Sequence, residues 1–251
     1  MNGSVNINNK NGISEIIFSH PQSNSLPGEL LRKLSYEIDT AGKDKEVMVI
    51  VLRSEGEKTF CSGASFDELI SIKTFEQGKV FFSGFAAVIN SIRKSPKFVI
   101  ARVQGKAVGG GVGLASAADI TFAHESASVK LSELAVGIGP FVVGPAVERK
   151  IGKSAFAELT INATEWRPAS WAKEKGMFAE IFSTVDEMDK AIEELTGKLI
   201  LSNPEAMSML KKIFWEGTEH WDTLLEERAA MSGKLVLSEF TKKAIEKFKS
   251  K

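Results

Sequence analysis

Cysteine is nearly absent. Cys61 is the only one in 251 residues, which excludes an intramolecular disulfide and leaves no CxxC pair or Cys/His cluster for zinc. No charge of either sign is in excess. Lys plus Arg and Asp plus Glu both total 32, so no global field draws the chain to nucleic acid or to an anionic membrane. Long apolar runs are missing as well; Val47–Leu52 is among the longest, far short of the roughly 20 residues that span a bilayer. The opening MNGSVNINNKNG has neither a basic n-region nor an apolar h-region, and is not expected to act as a signal peptide. Three chemical signatures also fail to appear. There is no GxxxxGK[ST], no GxSxG, and the sixth position counted from Gly109 is Leu114 rather than glycine, so neither a P-loop, a serine-hydrolase elbow nor a dinucleotide fingerprint is present. These absences lead to the expectation of a cytoplasmic protein without metal.

What is present suits one large domain, or one domain with a helical extension. The chain is 43% hydrophobic and 25% charged, ample for a core. Val5, Ile7, Ile13 and Ile16–Phe18 flank Asn11-Gly12, which predicts a β-hairpin. Leu30, Leu31, Leu34 and Ile38 predict an amphipathic helix from about Pro27 to Ala41. Val47–Leu52 and Phe98–Val103 are unbroken apolar runs, as expected of strands buried on both faces. A helical stretch within about Phe75–Lys94 lies between them, so strand and helix alternate and a largely parallel sheet is expected. The second half turns helical over Glu187–Leu201, Pro204–Phe214, Trp221–Leu235 and Phe240–Phe248. Terminal helices with apolar stripes often close an oligomer interface.

Two short stretches carry the chemical signal. Val103-Gln-Gly-Lys-Ala-Val-Gly-Gly-Gly-Val-Gly ends a strand and opens a helix on glycines. Glycine lets a ligand approach the main chain, and the unpaired N–H groups of a helix N-terminus favour an anion. Close helix–strand packing explains such a cluster equally well. Upstream, Ser62-Gly63-Ala64 is a small-residue turn after the first buried strand. Two such turns after adjacent parallel strands aim two N–H groups at one point, which is the geometry of an oxyanion hole.

The order of these elements resembles the crotonase (enoyl-CoA hydratase/isomerase) superfamily. The resemblance rests on the N-terminal hairpin, Pro21 with Asn24-Ser25-Leu26, Phe60-Cys-Ser-Gly-Ala, Gln104-Gly-Lys-Ala-Val-Gly-Gly-Gly, Leu131-Ser-Glu-Leu-Ala-Val-Gly-Ile-Gly-Pro and Ile151-Gly152. It implies a spiral α/β core of repeated β-β-α units over residues 1–185. It also implies a helical C-terminal region over 186–251 for trimerisation and pocket closure. The substrate it implies is an acyl-CoA thioester, whose oxygen is bound by the N–H groups of Ala64 and Gly110. Glu133 matches the second of the family's two catalytic glutamates. The first falls on Gly113, so one acid is missing, and Ser65 replaces the Asp that usually follows the Gly-Ala turn.

Hydration of an enoyl thioester uses two positioned carboxyl groups, whereas moving a double bond from the 3- to the 2-position needs one group that takes a proton from C2 and returns it at C4. An enoyl-CoA isomerase is therefore the expected activity, with no metal or redox cofactor and with a homotrimer or dimer of trimers as the assembly. A hydratase, for example of methylglutaconyl-CoA, and an acyl-CoA decarboxylase are the alternatives. A non-catalytic RNA-binding relative is more remote, since the charge is balanced. Dienoyl-CoA isomerases carry an aspartate where this chain has Phe141. His20, His124, His220 and Cys61 are read as structural. Lys242, Lys243, Lys247, Lys249 and Lys251 are read as a solvated face, with a neighbouring subunit's CoA phosphates as the alternative.

Overall fold

The computed structural model describes residues 3–249. β1 (Ser4–Lys10) and β2 (Ile13–Ser19) pair antiparallel, with Lys10 opposite Ile13. Asn11 and Gly12 between them hold φ of 51° and 79°, the doubly left-handed turn that Asn-Gly favours. α1 (Gly28–Lys43) then buries Leu30, Leu31, Leu34 and Ile38, the stripe expected of it.

From β3 (Val49–Ser54) onward the chain repeats one pattern. Each pass lays a strand in a large sheet, then a short strand in a second sheet, then a helix. β3 leads to β4 (Thr59–Cys61), α2 (Phe66–Ser71) and α3 (Phe75–Lys94). β5 (Phe98–Val103) leads to β6 (Lys106–Val108) and α4 (Gly110–Ala117). β7 (Ile120–His124) leads to β8 (Ser128–Lys130), a 3-10 turn at Leu134–Val136 and α5 (Gly144–Ile161). β9 (Arg167–Pro168), α6 (Ala169–Glu174) and β10 (Glu180–Phe182) end the spiral. The large sheet runs β1-β2-β3-β5-β7-β10 and the small one β4-β6-β8-β9. Apart from the hairpin and β8 with β9, the strand pairs are parallel. The expected α/β spiral is the observed one. The short strands β4, β6 and β8 were not foreseen, because three residues are too few to show a period.

The apolar runs of β3 and β5 are covered on both faces. Ile50, Leu52, Val99 and Ala101 belong to the main core, whereas Val49, Val51 and Ile100 pack with Met188 and Ile192 of α7 (Val185–Leu199) on the outer face. α8 (Pro204–Phe214), α9 (Trp221–Leu235) and α10 (Glu239–Lys249) follow, each close to its expected span. Trp215, Trp221, Leu225, Ala229 and Val236 join the main core, so these last helices share the interior of the spiral. α9 lies along α3 with its backbone close at Gly78, where a Cβ would stand 2.8 Å from the Gly233 carbonyl oxygen. No helix among the described residues is long and apolar enough to cross a membrane.

Candidate active site

β4 and α4 bring the two backbone turns into contact. Gly63 holds φ 87°, and a Cβ on it would lie 2.8 Å from the Val108 carbonyl oxygen and 3.3 Å from the Gly110 nitrogen. Only glycine lets the Ser62–Ala64 turn lie this near the start of α4. Gly109 caps α4 with φ 52°, and its N–H donates to the Lys130 carbonyl at 2.9 Å. Gly110 is then the first helical residue, and its N–H has no acceptor within the helix. A side chain there would run into the ring of Phe85.

The direction of the Ala64 N–H follows from its neighbour. Leu26 N–H donates to the Gly63 carbonyl at 2.8 Å, in a parallel bridge of Leu26 with Ala64. In a trans peptide the carbonyl of Gly63 and the N–H of Ala64 point opposite ways, so the latter faces away from Leu26. A turn from His20 to Leu26 holds this segment in place. Asn24, buried and at φ 55°, accepts from the His20 N–H at 3.0 Å and donates to the carbonyls of Glu55 and Thr59, each at 2.8 Å. Ser62 N–H donates to the Ser23 carbonyl at 3.1 Å.

Ala64, Gly109, Gly110 and Glu133 line one cavity of about 60 Å³. Its remaining wall is largely apolar, with Phe66 and Leu69 of α2, Phe82 and Phe85 of α3, and Val136, Ile138, Phe141 and Val143 around the 3-10 turn and the start of α5. Glu133 sits just before that turn, where its carbonyl accepts from Val136 N–H at 3.2 Å and Ile138 N–H at 2.9 Å. A Cβ on Gly109 would meet Glu133 Oε1 at 2.9 Å, which places the carboxyl beside the opening of α4. Oε2 is enclosed and has no hydrogen-bond partner. Burial lifts this carboxyl from 4.5 to about 7, offset in part by the residue's own N–H. Such a group is half ionised near neutrality and can both take and return a proton.

The structure thus brings Ala64, Gly110 and Glu133 together and leaves Gly113 outside. Gly113 is buried in α4 and is not part of the cavity wall; its Cβ would meet Val143 Cγ1 at 2.5 Å and Cβ at 2.7 Å. Val143, which a side chain at 113 would meet first, is itself part of the cavity wall. Ser65 has a local role, since its hydroxyl caps α2 by accepting from the Glu68 N–H at 3.4 Å. Phe141 is part of the cavity wall. None of the histidines lines the cavity. Cys61 is buried, and burial pushes its thiol up to about 12, a value that leaves it protonated and unreactive at neutral pH. Lys242 pairs with Glu239 at 3.7 Å, and Lys243 and Lys247 are exposed; the Lys249 side chain and Lys251 lie outside the described residues. The sequence reading missed Val143 and Ser232, which reach the cavity from α5's entrance and from α9. Phe82 and Phe85 were legible only as part of a core stripe.

A cavity at the meeting of two glycine turns, set in a spiral of β-β-α passes, defines a crotonase-type fold. Residues 8–251 match the protein family described as enoyl-CoA hydratase/isomerase, and the chain belongs to that family, within the crotonase superfamily. Human mitochondrial methylglutaconyl-CoA hydratase is 34% identical over 200 residues, which are 78% of this chain and 58% of that protein. The chain therefore spans less than two thirds of that relative's length. The short-chain-enoyl-CoA hydratase of Clostridium acetobutylicum is 27% identical over 94% of this chain and 90% of its own. The crystal structure of an enoyl-CoA hydratase from Bacillus halodurans superposes with a TM-score of 0.89 at 22% identity, covering 97% of this chain and 99% of that one.

Proposed function

We propose that this protein is an acyl-CoA isomerase that shifts a 3-enoyl to a 2-enoyl double bond, with Glu133 as its single acid/base. The Glu133 carboxylate takes a proton from C2, the dienolate charge spreads to the thioester oxygen, and that oxygen accepts from Ala64 and Gly110 N–H. The protonated Glu133 then delivers the same proton to C4, which restores the carboxylate and leaves the conjugated thioester. Backbone donors aimed at a developing oxyanion supply the electrostatic part of such a reaction. No metal or redox cofactor takes part, and the assembly is a homotrimer or a dimer of trimers.

The observation that carries this reading is the state of Glu133: one carboxyl, enclosed, without a partner at Oε2 and with its pKa lifted to about 7. Among the described residues no second carboxyl lines the cavity. The test is incubation with 3-butenoyl-CoA and, separately, with 2-butenoyl-CoA. Isomerisation predicts conversion of the first to the second with no 3-hydroxyacyl-CoA from either. A hydratase is the second reading, and the names of the two relatives above favour it. Steady formation of 3-hydroxybutanoyl-CoA from 2-butenoyl-CoA would establish it in place of the isomerase.

A further inference from the structure

α4 opens at the cavity, and its other end lies close behind. The helix has 8 residues, so it is about 12 Å long at 1.5 Å per residue. All of them are buried, so the partial negative charge at the C-terminus is poorly screened and opposes the pull of Gly110 N–H on an anion. That far end is met by two side chains. Thr121 donates its hydroxyl to the Ala115 carbonyl at 2.7 Å. Lys150 of α5 donates from Nζ to the carbonyls of Ala118 and Asp119, at 2.8 Å and 3.0 Å, just past the last turn of α4. Three charged groups act on this ammonium: Asp119 before β7, Lys211 of α8 and Arg149 on α5 itself. The Asp119 carboxylate is taken up by Lys211 Nζ, Val99 N–H and Trp215 Nε1–H. The Lys150 charge therefore rests on two main-chain carbonyls, and among the described residues no carboxylate is bonded to it.

We infer that Lys150 tunes the oxyanion hole from the back of α4: its ammonium neutralises the helix's C-terminal end and so strengthens the hold of Gly110 N–H on the enolate oxygen. The inference rests on the reading proposed above, in which that oxygen gains negative charge as the proton leaves C2. Lys150 touches no substrate and acts only through α4. The helix and one hydrogen bond at each end separate the two charges by about 18 Å. At an effective dielectric constant of about 20, one unit charge at that distance corresponds to about a fivefold change in the rate of forming the enolate. The same ammonium titrates. Burial pulls it from 10.5 down to about 8, Asp119 offsetting part of the fall and Arg149 and Lys211 adding to it. The charge is present at neutral pH and is lost as pH rises through about 8, so the pull on the oxyanion weakens there.

The infrared carbonyl band of bound butanoyl-CoA, labelled with carbon-13 at the thioester carbon, reads this field without turnover. A stronger pull on the oxygen weakens the C=O bond and lowers its frequency. The full chain is measured as Glu133→Gln, because Glu133 itself titrates near 7 beside the same oxygen. The band is expected to move to higher frequency as pH rises through about 8. Adding Lys150→Arg, which keeps its charge, should hold the band in place. Adding Lys150→Met should leave it at the higher frequency throughout. With Glu133 intact, Lys150→Met is expected to lower kcat for 3-butenoyl-CoA about fivefold, with thioester affinity little changed. A lysine that merely caps carbonyls would alter stability and leave the band and kcat of a folded Lys150→Met where they were; that result overturns the inference. So does a band that stays constant through the titration, which needs no Lys150 variant to fold. If butanoyl-CoA binds but 3-butenoyl-CoA is not converted, the isomerase reading falls while the band still decides the role of Lys150. If no CoA thioester binds to a folded protein, both fall together.

Discussion

Glu133 makes two predictions of opposite character. As a base it must be ionised, so turnover is expected to be flat above about pH 7 and to fall tenfold per unit below it, following a carboxyl lifted to about 7. Glu133→Gln keeps the shape and removes the base, with an expected loss of at least about 100-fold in turnover and little change in thioester affinity. Stability moves the other way. Between 4.5 and about 7 the folded state keeps a proton that the unfolded chain releases, so this group makes stability fall as pH rises through that window. A rise from 4.5 to about 7 corresponds to up to about 3 kcal/mol at 1.36 kcal/mol per pH unit. Urea unfolding should therefore show Glu133→Gln gaining stability over the parent between pH 5 and pH 8. Gly113→Glu is a different matter. Its first carbon meets Val143 at 2.5 Å, so the variant is expected to lose about 1–3 kcal/mol by overpacking and to gain no hydration. If Gly113→Glu alone hydrates 2-butenoyl-CoA while fully stable, Val143 does not block that position.

At the scale of elements, α8 is fixed to the sheet by one buried carboxylate. Asp119, at the start of β7, accepts from Lys211 Nζ at 2.5 Å, from Val99 N–H at 2.7 Å and from Trp215 Nε1–H at 3.2 Å. Lys211 is 1% exposed, and a cation so enclosed needs its partner. Asp119→Ala is expected to lower unfolding free energy by about 3–5 kcal/mol, read by urea denaturation, with part recovered when Lys211→Met removes the stranded charge. Near-parental stability of Asp119→Ala would show that α8 is held by its apolar contacts alone. The 3-10 turn that carries Glu133 is braced from the chain's far end in a similar way. Thr241 of α10 donates its hydroxyl to the Gly137 carbonyl at 3.2 Å. Neither contact was legible beforehand, because an Asp after a helix and a Thr in a tail have no period or motif to mark them.

At the scale of the whole molecule, α8 carries a group of exposed apolar side chains. Met209, Leu210 and Ile213 on α8 are 45–58% exposed, and neighbouring apolar side chains of this kind often mark a contact surface. With the proposed trimer or dimer of trimers, light scattering should give three or six times the 27.3 kDa of the chain. Ile213→Asp should reduce that mass if α8 lies in the contact, and an unchanged mass would place the interface elsewhere.

Much of this fold was legible from local chemistry. Asn-Gly set the hairpin, the spacing of Leu30, Leu31, Leu34 and Ile38 set α1, and unbroken apolar runs marked β3 and β5 as strands covered on both faces. These signals survive because period and turn preference act within a few residues. The motif order also singled out Ala64, Gly110 and Glu133, which the structure gathers around one cavity. Gly113 shows where that reasoning ends. Its place in the sequence says which family position it fills, but the direction of a Cβ and the side chain it would strike depend on a valine thirty residues away. The cavity's size and, among the described residues, its lack of cationic side chains were likewise decided only when α2, α3, α9 and the segment before α5 came together around it. Packing joins residues that no local pattern relates, so the sequence determined the elements and the candidate chemistry, and the tertiary structure decided what that chemistry has room to act on.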